Sequence, residues 1–154
     1  MILTSTEIMQ QHEEGKIVIV PFDKRYINPN SYDIHLGTSI FKYRDRKLDM
    51  NSNNEVEIID LVEGGVILEK DVFYYAYSNE EIGSSEFVPM LHNKSGIARM
   101  GLFTHIASDL LSIGESGKVL IQLYPSVNLR VYPKMGIAQI TFWKTKGEKQ
   151  KIII

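Results

Sequence analysis

Cysteine is absent from the chain. Disulfides and thiolate metal sites are therefore excluded, and a reducing compartment is compatible with the composition. Histidine is sparse: His12, His35, His92 and His105 are scattered without metal-ligand spacing, so the sequence offers no zinc motif. No apolar run reaches membrane-spanning length, and the first residues lack a basic-then-apolar signal pattern. The expected setting is cytoplasmic, with no membrane partner. An excess of positive charge is lacking too. A formal net charge of −2 argues against bulk nucleic-acid binding, while leaving room for a local basic pocket that takes one triphosphate. What remains is ordinary for a globular protein, with 44% apolar and 23% charged residues. The 154 residues are expected to form a single domain, 1–154, with room for a proper core.

Near the start, Thr4-Ser5-Thr6-Glu7 reads as a capping box, with Thr4 as N-cap and Glu7 reaching back. Ile8, Met9 and His12 give a short amphipathic face, and Gly15 is placed to end the helix in the left-handed region. The rest reads as strands. Candidates are 17–20, stopped by Pro21, then 31–36, ending at Gly37, and 39–43. Further runs are Val56 to Ile59, 66–68, 72–77, 87–91, 102–107, 118–124, 129–132 and 137–143. Polar or glycine-rich turns separate them at Asn51-Ser52-Asn53-Asn54 and Glu63-Gly64-Gly65. Many short strands with regular turns predict an all-β sandwich or barrel behind one short helix. The Lys144–Lys151 tail is charged, and Ile152-Ile153-Ile154 is an apolar end suited to packing on a neighbouring subunit.

The chemistry-bearing stretch is His92-Asn93-Lys94-Ser95-Gly96-Ile97-Ala98-Arg99. If Ser95 opens a helical turn, unpaired backbone N–H groups face outward there and favour a phosphate. Arg99, four residues on, lies on the same side and can close with a forked pair of donors. Lys94, Ser95, Gly96 and Arg99 thus form a candidate anion cradle. The same residues also suit a capped surface helix with solvated charges.

Two more segments give that cradle a context. Ile27-Asn28-Pro29-Asn30-Ser31-Tyr32-Asp33-Ile34-His35-Leu36-Gly37 lies before it, and Tyr132-Pro133-Lys134-Met135-Gly136-Ile137-Ala138-Gln139-Ile140-Thr141-Phe142 lies after it. The three in this order resemble the dCTP deaminase and dUTPase superfamily, with the early segment closer to the deaminase branch. The resemblance runs from the first helix to Phe142. It implies a distorted jelly roll, a homotrimer with sites between subunits, and a pyrimidine deoxynucleotide ligand. It also implies Mg²⁺ carried on the triphosphate, and no zinc.

By the same resemblance Lys94, Ser95 and Arg99 hold phosphates, while Gly96 stands where the family carries a second serine. The stretch from Thr104 to Gly117 corresponds to a hairpin holding sugar and base, so Ser108, Asp109 and Ser112 join the binding set. Ser112 stands where the family has an acidic residue, and Glu115 where an aromatic is usual. Gln122 occupies the place of the deaminase glutamate, which shuttles protons between water, ring nitrogen and leaving ammonia. Gln122, Arg99, Ser95 and Asp109 are the catalytic candidates. A glutamine hydrogen-bonds but does not titrate. Asp109 is either a relocated carboxylate or a turn residue capping the hairpin. Gln139 is a phosphate or subunit contact, or else a strand residue bonded within the sheet. No counterpart of the family's C-terminal lid follows Trp143, so water exclusion is expected to be poorer. The reading is a deaminase-like nucleotide binder, nominally converting dCTP to dUTP, with turnover in question. The alternatives are an inactive sequestering or regulatory protein, or a purely structural trimer.

Overall fold

A computed structural model describes residues 1–104 and 108–148. Of the expected features, His105, Ile106, Ala107 and the Ile152–Ile154 tail lie outside the described residues. Helix α1 (Ser5–Glu13) starts after Thr4, whose extended backbone places its carbonyl to accept the Ile8 N–H at 2.9 Å. The expected capping box is not formed. The Thr4 hydroxyl makes no cap bond, and Glu7 accepts instead from Gln11 Nε2 at 3.0 Å, one turn along the same face. Gly15 closes the helix at φ +74°, the left-handed conformation that costs glycine least.

The strands are β1 (Ile17–Val20), β2 (Ile27–Asn28), β3 (Ser31–Tyr43), β4 (Val56–Asp60), β5 (Val66–Leu68), β6 (Tyr74–Ser84) and β7 (Phe87–Asn93). After helix α2 (Ser95–Arg99) come β8 (Leu102–Thr104), β9 (Ser116–Pro125), β10 (Leu129–Val131) and β11 (Gly136–Lys144). The main sheet runs β7-β11-β3-β6-β9-β8, with β1 on β6 and with β2 and β4 on β3. It wraps a core that includes Ile8, Tyr32, Ile34, Ile40, Ile121, Ile140 and Phe142, all with no exposed surface. The barrel-like, all-β expectation holds. Between β1 and β2, Asp23 caps a short 3₁₀ turn (Lys24–Tyr26). Bonds from the Arg25 guanidinium, and then from its backbone N–H, hold the Asp23 carboxyl down at about 2. The cap's contribution is complete above the unfolded carboxylate range and is lost only as pH falls towards that value.

Strand β3 departs from expectation. The glycine-marked break at Gly37 is not a chain end but a slip within one long strand. Leu36 pairs with Ser78, whereas Ile40 pairs with Ala76. A side chain on Gly37 would put its Cβ 3.0 Å from the Tyr77 carbonyl, so the backbones approach closely only because that atom is missing. Ser78 mends the ladder where it slips: its hydroxyl accepts the Val119 N–H at 2.8 Å and donates to the Glu80 carbonyl at 2.6 Å. The first half of β3 pairs with β11 and the second with β4 and β6, so β3 carries the sheet from one side of the core to the other.

Gly65, at φ +76°, ends the turn that leads into β5 of the two-stranded β5–β10 ribbon. An added Cβ there would lie 2.8 Å from Arg130 Cγ and from the Val131 carbonyl. Gly65→Ala is expected to cost about 1–3 kcal/mol, read as a lowered melting midpoint. Gly64→Ala, where nothing lies within 4 Å, is expected to change little. Equal effects at both positions would remove the steric account.

Candidate functional site

Strand β7 delivers the chain to the cradle. Lys94 is the N-cap of α2, with extended backbone, and its carbonyl accepts the Ala98 N–H at 2.9 Å. The helix is a single turn. Ser95, Gly96 and Arg99 are exposed on it, and the Ser95 and Arg99 side chains have no hydrogen bond or ion pair among the described residues. Their donors are therefore available to a ligand. Lys94 is different. Its ammonium is paired with the Asp33 carboxylate on β3, whose other oxygen accepts from Asn28 Nδ2 at 2.8 Å. Both Asp33 oxygens are thus tied to side chains.

Gln139 on β11 is bonded within the fold. Its Oε1 accepts from the Ser31 hydroxyl at 2.8 Å, and its Nε2 donates to the Asn93 carbonyl at 3.1 Å. Of the two uses open to it in the sequence, the geometry displays the sheet-bonded one. That bond joins the start of β3 to the end of β7, immediately before the cradle.

The segment after the undescribed residues runs along the β7 edge. The Leu91 N–H donates to the Asp109 carbonyl at 2.8 Å, and the Leu111 N–H to the Pro89 carbonyl at 3.0 Å. Ser108 begins this run at φ +63°. Asp109 uses its backbone here, and its carboxylate faces solvent. Ser112, also exposed, lines a cavity of about 340 Å³ with Leu111, Glu115 and Lys118. Ser95, Arg99 and Gln122 are not among its lining residues. Within one chain, the candidates fall into a cradle, a cavity and a sheet face.

The sheet face belongs to Gln122. On β9 the alternation buries Ile121 and Leu123 and turns Gln122 outward. Its register partner is Tyr75 on β6, and Tyr75 in turn pairs with Phe41 on β3. The Phe41 and Tyr75 rings stack with centroids 5.3 Å apart, and Tyr43 meets Tyr75 edge-on at 5.7 Å. Along the same face Phe73 lies 4.7 Å from Tyr124, with Tyr77, Phe103 and Leu120 exposed. Gln122 thus sits half-buried beside an aromatic row on an open apolar sheet face, the kind of surface that marks an interface. Its amide makes no hydrogen bond among the described residues.

The sequence does not announce a buried histidine–carboxylate contact that the fold contains. Glu80, 2% exposed, accepts the His35 N–H at 2.9 Å on one oxygen and meets His35 Nδ1 at 2.6 Å on the other. The Tyr26 ring covers the imidazole at 4.1 Å. The signal was the β6 alternation: Tyr74, Ala76, Ser78, Glu80 and Ile82 all share the inward phase. Ending that strand at Tyr77 leaves Glu80 in a loop and hides its burial.

The sequence model of the dCTP deaminase-like family matches residues 2–145. The chain belongs to this family. A dCTP deaminase, dUMP-forming, from Clostridium beijerinckii is 36% identical over 148 residues, spanning 96% of this chain and 85% of that protein. A protein of the same description from Hathewaya histolytica is 34% identical over 151 residues, spanning 98% and 87%. Among solved structures, the 2'-deoxycytidine 5'-triphosphate deaminase of Agrobacterium tumefaciens superposes with a TM-score of 0.73 at 20% identity. That match covers 92% of this chain and 47% of the other, so the chain spans about half its length. At that identity the likeness speaks for the fold alone. Within the dCTP deaminase-like family, the points of interest are the neutral side chains at Gln122 and Ser112.

Proposed function

We propose that this family member binds a pyrimidine deoxynucleoside triphosphate, nominally dCTP, at sites between subunits of a cytoplasmic homotrimer. Deamination runs far below the rate of an enzyme that carries the acidic residues. The observation that carries the reading is Gln122: an amide without a hydrogen bond among the described residues, on an exposed aromatic face, at the position where the resemblance expects a proton-shuttling carboxylate. The open face supports the trimer, because a second copy would cover Tyr77, Phe103 and Leu120 and enclose Gln122.

Replacing the cytosine amino group by oxygen needs water to attack C4, a proton to reach the ring nitrogen, and ammonia to leave. Gln122 can orient the base edge by hydrogen bonds, but it can neither take the water's proton nor return one. Ser112 can hold a water without deprotonating it. Asp109 and Glu115 are the exposed carboxylates of the same segment, and Asp109 is the one the sequence offers as a substitute base. Ser95 and the Arg99 fork serve the phosphates. The relatives described as dUMP-forming release a monophosphate. For this chain that would add water attack at the α-phosphorus, which equally lacks a carboxylate at Ser112. Among the described residues no three His, Asp or Glu side chains converge on one point. The Mg²⁺ of this proposal would therefore take its ligands chiefly from phosphate oxygens and water.

The test is incubation with dCTP or dUTP and Mg²⁺, followed by product chromatography and by calorimetry. Binding is expected, with little uracil nucleotide or pyrophosphate. Turnover near the ordinary enzymatic range of about 1 s⁻¹ or faster would overturn the slow-turnover reading. Arg99→Met is expected to weaken binding about 10- to 100-fold by removing the charged fork. Unchanged affinity in that variant would take Arg99 out of the site. Tight binding with no detectable product would favour the sequestering or regulatory reading, which Gln122 also supports. No binding of any nucleotide would leave a structural trimer.

A further inference from the structure

We propose that Asp33 is a positioning residue for the Ser95–Arg99 turn, and that Lys94 is the anchor through which it acts rather than a ligand for the bound anion. This rests on the nucleotide-binding reading above. Lys94 is bonded directly to Ser95 and forms the N-cap of α2. Its ammonium reaches back to Asp33 on β3, and the two side chains are only 30% and 19% exposed. The second Asp33 oxygen is occupied by Asn28 Nδ2 at 2.8 Å, so the carboxylate is committed on both sides.

The backbone on either side of the turn is held as well. Asn93, just before Lys94, gives its carbonyl to Gln139 Nε2 at 3.1 Å. Gln139 is the register partner of Asp33. The Asn93 amide donates to the Leu102 carbonyl at 3.0 Å, past the far end of α2. A single frame, made of β3 and β11, therefore fixes both the Lys94 side chain and the residue before it.

Behind Lys94 the space is shared. A Cβ built on Gly136 would sit 3.6 Å from Lys94 Nζ and 3.6 Å from the His35 ring. His35 is itself held by Glu80. To grip an anion at α2, the Lys94 ammonium would have to leave a half-buried carboxylate and strand it, which is strongly unfavourable for a desolvated pair. Arg99 and Ser95 carry no such commitment among the described residues. The cradle therefore divides into free groups that meet the ligand and a committed group that fixes where they stand.

The two roles predict opposite signs. If Lys94 were a phosphate ligand, Asp33 would compete for it, and Asp33→Asn would tighten binding. If Lys94 is the anchor, the same change releases the turn and weakens binding. The experiment is calorimetric titration of dCTP with Mg²⁺ into the natural chain, D33N, K94M and D33N/K94M. All are measured well below the lowest melting midpoint. Each single variant is expected to raise Kd about tenfold, because each releases the turn. The double variant lacks the same anchor and is expected to bind about as weakly as either single variant, not with the two losses added. The sign of the D33N effect separates anchoring from ligation. If D33N folds poorly, K94M still decides: an ammonium already paired with Asp33 leaves the salt dependence of Kd unchanged when it is removed, whereas a phosphate ligand does not. Tighter or unchanged binding by D33N, a double variant with the two losses added, or a flattened salt dependence in K94M would overturn the anchor role. A natural chain that binds no nucleotide would overturn the nucleotide reading itself, and this inference with it.

Discussion

Gln122→Glu raises the rate of dCTP deamination about 10²- to 10⁴-fold over the natural chain, the usual worth of one positioned general acid–base. The side chain is already aimed outward on β9, beside the Tyr75 ring, so the substitution changes charge and proton capacity without a new backbone position. The face is exposed in the single chain, which leaves the carboxylate solvated until a ligand or neighbour covers it. Gln122→Asp is the control: it supplies a carboxylate one bond short and is expected to gain much less. Product formation from dCTP, followed at several pH values, is the measurement. A Gln122→Glu chain that binds dCTP as before yet forms no uracil nucleotide would show that Ser112, rather than Gln122, limits the reaction. The double change Gln122→Glu with Ser112→Asp would then be the one to gain.

Glu80→Ala is expected to be the most damaging single change in the core. It removes the acceptor of both the His35 backbone N–H and the His35 ring in a place with 2% exposure. Leaving those two buried groups of His35 without their acceptor costs about 2–6 kcal/mol, or a fall of roughly 4–24 °C in melting midpoint for a chain of this size. Glu80→Gln keeps the shape and one acceptor oxygen, so an intermediate loss is expected. His35→Ala combined with Glu80→Ala is expected to lose less than the two single losses added, since it leaves no orphaned ring nitrogen. Thermal melting of the variants decides it. A Glu80→Ala chain melting within about 2 °C of the natural one would mean the pair contributes no more than a surface contact.

These two positions also show where sequence reasoning works. Gln122 was singled out because a family pattern met a neutral residue at one point. Its outward direction then followed from strand alternation around Ile121 and Leu123. Glu80 obeyed the same alternation but was missed, because the strand reaches Ser84, well past the aromatic run that advertised it. β3 reads as two strands in the sequence because Gly37 looks like a terminator. In the fold that glycine admits the Tyr77 carbonyl, a reason that lies forty residues away in the chain. The capping box failed on similar grounds: Glu7 had a second partner, Gln11, at helical spacing.

By itself the sequence determined the all-β class, the helix ended by Gly15, the approximate strands and the polar turn that carries Ser95 and Arg99. Those features depend on apolar alternation and turn chemistry, which act over a few neighbouring residues. Only the tertiary structure decided that Lys94 answers to Asp33, that Gln139 ties β3 to β7, and that His35 meets Glu80. Each of these joins residues 45 or more positions apart. Such pairings are set by sheet register and by a two-residue slip between β3 and β6, and no local pattern of residues specifies a register.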